Sequence, residues 1–236
     1  MRNENIYKPL IAKTMKSFNM QSKMSLLLLA SLFVVVNSQA QTLKDFFTNN
    51  TPLTYLGVDF TQARVIGEAV TDANDIRDRF YSGINNVIIG EPKKYDLAAA
   101  FHAEINSDVD AVKKRNAAIN IDQIKSSNTA DFSRLKTADI DKLVKGFDFG
   151  GKKGVGLLFV MDGMSKAEEA ANVYVTLIDM GSKKVLLTEK MEGKAGGFGF
   201  RNYWVHTIYE VLKDIKKGKY NEWKKKAASE PEVRKA

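Results

Sequence analysis

Apolar positions along the chain follow two periods, and each change of period marks the edge of an element. From Leu53 to Phe60 they alternate, so that Leu56, Val58 and Phe60 share one face of a predicted strand. Ile76, Phe80, Ile84, Val87 and Ile88 then recur at helical spacing, with Thr71 or Asp72 placed to cap the helix and Gly90 and Pro92 to stop it. Leu97, Phe101 and Ile105 keep that period and predict a second helix, whereas residues 108–127 fit helix and strand equally. A short helix over 138–145 is expected to start at a Thr137 cap, bury Ile140, Leu143 and Val144, and end at Gly146.

Three strands follow. Residues 155–161, VGLLFVM, are apolar on both faces and so belong in the middle of a sheet. Residues 173–180 are nearly so, and 184–191 return through the turn Met180-Gly181-Ser182-Lys183 as a hairpin partner. The last helix, 202–217, carries Trp204, Ile208, Val211, Leu212 and Ile215 on one stripe and is expected to end at Gly218. Helix–strand alternation followed by a strand meander predicts an α/β (α+β) fold, a single-domain sandwich with a mixed sheet ending in an antiparallel hairpin and helices packed on it. On this reading 41–52 is a lead-in segment, 53–218 the domain and 219–236 a basic tail in which Trp223 is the freer of the two tryptophans. No internal repeat is seen and only three prolines follow residue 40, so nothing divides the domain in two.

One apolar run fits neither period. MSLLLLASLFVVVNSQAQ, residues 24–41, has a core of about a dozen residues, well short of the roughly 20 needed to span a bilayer. It follows Lys23 and ends in Ser38 and Ala40, small residues at the positions a signal peptidase reads, so residues 1–40 are read as a signal peptide cleaved between Ala40 and Gln41. Met15, Met20 and Met24 are alternative starts. The chain has no Cys, which leaves neither a lipid-attachment residue nor a disulfide to support an exported domain. The expected location is the periplasm or the exterior.

This leader also changes the meaning of the charge. The formal net charge is +8. Arg2, Lys8, Lys13, Lys16 and Lys23 against Glu4 account for +4 of it, and much of the rest is the run Lys216, Lys217, Lys219, Lys224, Lys225 and Lys226. A nucleic-acid partner is therefore not expected, while the tail offers electrostatic contact with a membrane surface.

The segments TYLGVDFTQARVIG, GKKGVGLLFVMDGMSK and GKAGGFGFRNYW resemble a group of uncharacterised exported proteins of Gram-negative bacteria, over most of the chain after the leader. The order of elements is also similar to the small α/β domains of two envelope proteins, the curli-secretion lipoprotein and the amino-terminal domain of the Tol-system propeller protein. This chain departs from the first in lacking its lipid-attachment cysteine. Neither resemblance implies an activity, a cofactor or catalytic residues.

Two sets of residues are candidates for chemistry. The glycine loop 193–200, GKAGGFGF, lies between a predicted strand and a helix, where backbone N–H groups can hold an anion; Gly196, Gly197 and Gly199 shape it, and Arg201, Asn202 and Tyr203 would give it specificity for a ligand or partner. Asp59, Asp162 and Asp179 each fall near the carboxyl end of a predicted strand, from which they could converge on a divalent cation. His102 and His206 have no neighbouring ligand or activated serine, and His206 is spaced to pair with Glu210. The reading is an exported, non-catalytic envelope protein that binds an envelope protein or surface polymer and needs no cofactor. The alternative is a metal-dependent hydrolase using the three aspartates.

Overall fold

The structure is a computed structural model and describes residues 41–229. The leader and Ala40 lie outside the described residues; Gln41 is the first within them. In chain order the elements are α1 (Leu43–Thr48), β1 (Leu53–Asp59), β2 (Arg64–Ile66), helix α2 over residues 73–90, α3 (Leu97–Phe101), β3 (Ile105–Ser107), α4 (Asp110–Ala117), β4 (Lys125–Ser126), α5 (Thr137–Lys145), β5 (Val155–Ser165), β6 (Ala170–Asp179), β7 (Lys184–Lys194) and helix α6 over residues 200–229.

The sheet is organised around β5, all of whose residues are buried. On one side it pairs antiparallel with β6, and β6 with β7. On the other side two short strands share its length: β1 runs parallel to 155–160 and β2 parallel to 163–165. β3 and β4 extend these outward, both parallel, to complete a seven-stranded mixed sheet. The mixed sheet, its antiparallel hairpin and the packed helices are those the sequence predicts. Side chains of β5 and β6 alternate between two cores. Leu157, Phe159, Val173 and Val175 meet Ile84, Trp204 and Ile208 of α2 and α6, whereas Leu158, Val160, Tyr174 and Ile178 meet Val112, Ile140 and Val144 of α4 and α5. A strand apolar on both faces gains from burial only when both are covered, and that is why β5 takes the centre.

Several local expectations change. In β1 the register against β5 shifts between Tyr55 and Gly57, so Leu56 turns to the second core while Tyr55, Val58 and Phe60 stay in the first. Gly57 makes this possible: its φ is +104°, and a Cβ there would stand 2.7 Å from Asn85 Oδ1. Helix α2 is capped by Asp72 and contains a π-helical stretch, Ile76–Tyr81, whose wider turn brings Tyr81 rather than Phe80 onto the buried stripe. Helix α3 stops at His102, left-handed at φ 48°, so Ile105 opens β3 instead of continuing the helix. The stretch that fitted both periods holds α4, a 3₁₀ turn at Ile121–Gln123 and β4. Helix α5 is capped from Lys136, whose N–H donates to the Asp139 carboxylate at 2.9 Å, rather than by Thr137. Leu143 of that helix is half-buried.

The final helix does not end at Gly218. It passes through a π-helical stretch, Ile215–Lys219, and continues as Tyr220–Ser229. Trp223 is 2% exposed, lies over Phe101 with ring centroids 6.3 Å apart, and donates from Nε1 to Glu189 Oε2 at 2.5 Å. Tyr220 meets Phe47 of α1 edge to face at 5.3 Å. The segment expected to be a free tail thus packs on the domain through Ala227, and the lead-in segment supplies Leu43, Phe46 and Phe47 to the same core.

Candidate functional site

The three aspartates do not come together. Asp59 pairs in register with Val160, whereas Asp179 pairs with Val155 at the opposite end of β5. Among the described residues no group of three or more His, Asp or Glu is placed to hold a metal ion. Each carboxylate instead fixes a piece of backbone. Asp179 accepts from the Gly181 N–H at 3.0 Å, the Ser182 hydroxyl at 2.7 Å and the Gln41 N–H at 3.3 Å. Asp162, fully buried, accepts the Leu135 N–H with both oxygens, at 3.2 and 3.1 Å. Burial pushes its carboxyl above the usual carboxylate range, while that N–H pulls the other way. Asp59, also fully buried, accepts from Thr61 N–H at 2.8 Å, from the Thr61 hydroxyl at 2.5 Å and from Arg115 Nε at 2.7 Å.

What Asp59 and Asp162 build is a cleft with cationic walls. Arg115 is held by Asp59, donates a second time to the Thr61 hydroxyl at 3.2 Å and lies over the Phe147 ring at 4.9 Å. Arg134, next to the Leu135 amide that Asp162 fixes, donates to the Gln62 carbonyl at 2.6 Å. Both guanidinium groups are therefore tied to the two adjacent residues that follow β1 and Phe60. With Lys142, Asp139 and Leu135 they line a cavity of about 500 Å³. Arg115 and Arg134 stand in the stretch without clear periodicity and in the loop after it; two arginines there are not a signal, and only the strand-end aspartates point to the place.

The glycine loop forms a second feature. β7 ends at Lys194 and α6 begins at Phe200. Between them the Ala195 N–H donates to the Glu169 carbonyl at 2.7 Å and the Gly196 N–H to the Tyr203 carbonyl at 3.1 Å, so the backbone is pinned and the Gly196 amide is spent within the loop. Gly197 (φ +97°) and Gly199 (φ +78°) take conformations that L side chains rarely adopt. Between them Phe198 points outward, 96% exposed. Beside it Arg201 lies across Gly83, where a Cβ would be 3.0 Å from Arg201 Cδ, and donates from Nε to Asn202 Oδ1 at 3.1 Å. These residues, with Arg79 and Phe80 of α2, border a shallow depression of about 320 Å³. Tyr203 faces inward: it meets Trp204 edge to face at 4.9 Å, and Lys166 Nζ sits 4.0 Å above its ring.

The histidines stay apart. His102 is the helix stop already described, near Tyr220 at 4.4 Å. His206 Nε2 is 3.6 Å from Glu210 Oε1, the pair its spacing predicts.

Fold and sites together describe a helix-covered mixed-sheet domain that carries a cleft walled by two arginines and an exposed aromatic loop. No protein-family model and no curated protein matches the chain. Among solved structures it is similar to the C-terminal domain of LpoB from Salmonella enterica, at 7% identity over 65% of this chain and 96% of that one, with a TM-score of 0.27. That score is too low for the two to count as sharing a fold. Among the described residues no helix is long and apolar enough to cross a membrane.

Proposed function

We propose that the protein is an exported, non-catalytic binding protein of the cell envelope that holds an envelope protein through the glycine loop, with Phe198 as the anchor and Arg201 as the charged contact beside it. Phe198 carries this reading: a large apolar ring is presented to solvent by a loop whose backbone is pinned on one side and set by two positive-φ glycines. Exposing an aromatic ring forgoes the burial that stabilises the other aromatics of this chain, and aromatic and arginine side chains held rigid before contact are the residues that dominate binding energy at interfaces. Asn202 orients Arg201. Arg79 already pairs with Asp75 at 3.0 Å, which leaves Arg201 to meet a carboxylate of the partner. The matching surface is a protein with an apolar pocket rimmed by acidic groups. Lys216, Lys217 and Lys224 to Lys226, all exposed on α6, add a salt-sensitive contact with anionic surfaces.

Support for export is the leader pattern; support for binding rather than hydrolysis is the separation of the aspartates and the presence of the loop. Binding of purified protein to envelope fractions, measured with Phe198→Ser and Arg201→Ala, tests the reading. Each substitution is expected to weaken binding by about 2 kcal/mol, roughly 30-fold, with the melting temperature unchanged because neither side chain is in the core. Unchanged binding by both variants would overturn it.

A further inference from the structure

The cleft walled by Arg115, Arg134 and Lys142 is independent of the glycine loop, and we propose that it is a binding site for a phosphoryl group. Three observations carry this. Its two guanidinium groups are fixed before any ligand arrives, Arg115 by the buried Asp59, Thr61 and the Phe147 ring, Arg134 by the Gln62 carbonyl. Arg134 Nε is buried with no acceptor, and a buried donor of a charged group left unpaired is costly unless another partner takes it. Neither Arg134 nor Lys142 has an ion-pair partner among the described residues, and the one carboxylate on the walls, Asp139, already accepts the Lys136 N–H.

Arginine forks match the oxygens of a phosphoryl group two at a time, and a lysine adds a mobile point charge, so the wall chemistry suits a tetrahedral oxyanion better than a single carboxylate. A volume of about 500 Å³ exceeds that of inorganic phosphate and leaves room for the group that bears it. Asp59 takes a role different from binding a foreign cation: fully buried, it pairs with Arg115 and keeps that guanidinium in place on the cavity wall.

The test is titration of the isotopically labelled protein with inorganic pyrophosphate, read from the arginine Nε–Hε resonances and from the melting temperature. Removing Arg115 would strand the Asp59 charge and threaten the fold, so Arg134→Gln and Lys142→Gln are used, with Arg79→Gln as a control away from the cleft. Lys142 makes no side-chain hydrogen bond or ion pair within the described residues, and its variant keeps the test valid should Arg134→Gln fail to fold. The expected result is saturable movement of the Arg115 and Arg134 resonances, a rise in wild-type melting temperature with ligand, and binding about tenfold or more weaker in either cleft variant but not in the control. A parallel arm uses phosphatidylglycerol vesicles. Binding lost in the cleft variants there assigns the phosphoryl group to a lipid headgroup, and binding of pyrophosphate alone assigns it to a soluble ligand. Unmoved arginine resonances, or equal affinity in wild type and both cleft variants, would overturn the proposal.

Discussion

Asn85 and Asn116 stand where a neighbouring strand would otherwise be. β3 pairs only with residues 53–55, and beyond it the outer edge of β1 would be left with unpaired backbone groups inside the protein. Asn85 accepts the Val58 N–H at 2.7 Å and donates to the Val58 carbonyl at 3.1 Å, while Asn116 accepts the Phe60 N–H at 2.8 Å and donates to the same carbonyl at 2.9 Å. Asp162 serves the loop before α5 in the same way but carries a charge into the core. Its carboxyl pKa is raised by burial, so over the window between the unfolded and folded values the folded state holds a proton that the unfolded chain has released. Stability contributed at this site therefore falls as pH rises through that window and is fully lost above it. Asp162→Asn keeps an acceptor for Leu135 and removes the charge, so the variant should gain on the wild type as pH rises from the ordinary carboxylate range to neutrality. Asp162→Ala, which strands the Leu135 N–H, should lose about 1–3 kcal/mol at low pH. Melting curves across pH for the three proteins check this, and a pH-independent gap between wild type and Asp162→Asn would contradict it.

At the scale of elements, what was legible in the sequence depended on whether one local rule acted alone. β5 and β6 read correctly because an apolar run on both faces has one stable position in a sheet. The helix ends at Gly90 and Gly146 read correctly as well. Gly218 did not, because a glycine within a helix costs only about 1 kcal/mol and the contacts of Tyr220, Trp223 and Ala227 outweigh it. The π-helical stretches are equally invisible to a fixed 3.6-residue period, which is why Tyr81 and Asn85 were missed on the buried stripe of α2. Trp223 is thus part of the core, and Trp223→Ala should destabilise the protein by about 3–5 kcal/mol, as does removal of other buried aromatics. Denaturant unfolding would measure this. A variant as stable as the wild type, or a chain ending at Gly218 that melts unchanged, would show that the end of α6 does not hold to the domain.

For the molecule as a whole, the sequence pointed to the glycine loop and to three strand-end aspartates but not to the arginine cleft, and each aspartate holds a group of the chain itself rather than sharing a cation. Strand-end aspartates marked the right end of β1 and β5, yet a single residue type cannot say whether it will bind a foreign cation or one of the chain's own; here Asp59 holds Arg115. Strands β2 and β4, of three and two residues, are too short for any period to show, so the place where Gln62 and Arg134 meet was hidden as well. The glycine loop was found because glycine clusters mark special backbone, and Phe198 gained meaning only once its exposure was known. We propose this loop as the face the protein presents to its partner. The most direct measurement is site-specific photo-crosslinking in the cell, with a photoreactive phenylalanine analogue at Phe198 and, as control, at Val70, which is 93% exposed on another part of the surface. A discrete adduct is expected from position 198, absent from position 70 and lost when Arg201→Ala is added. Equal adducts from both positions, or an adduct at 198 indifferent to Arg201, would contradict it.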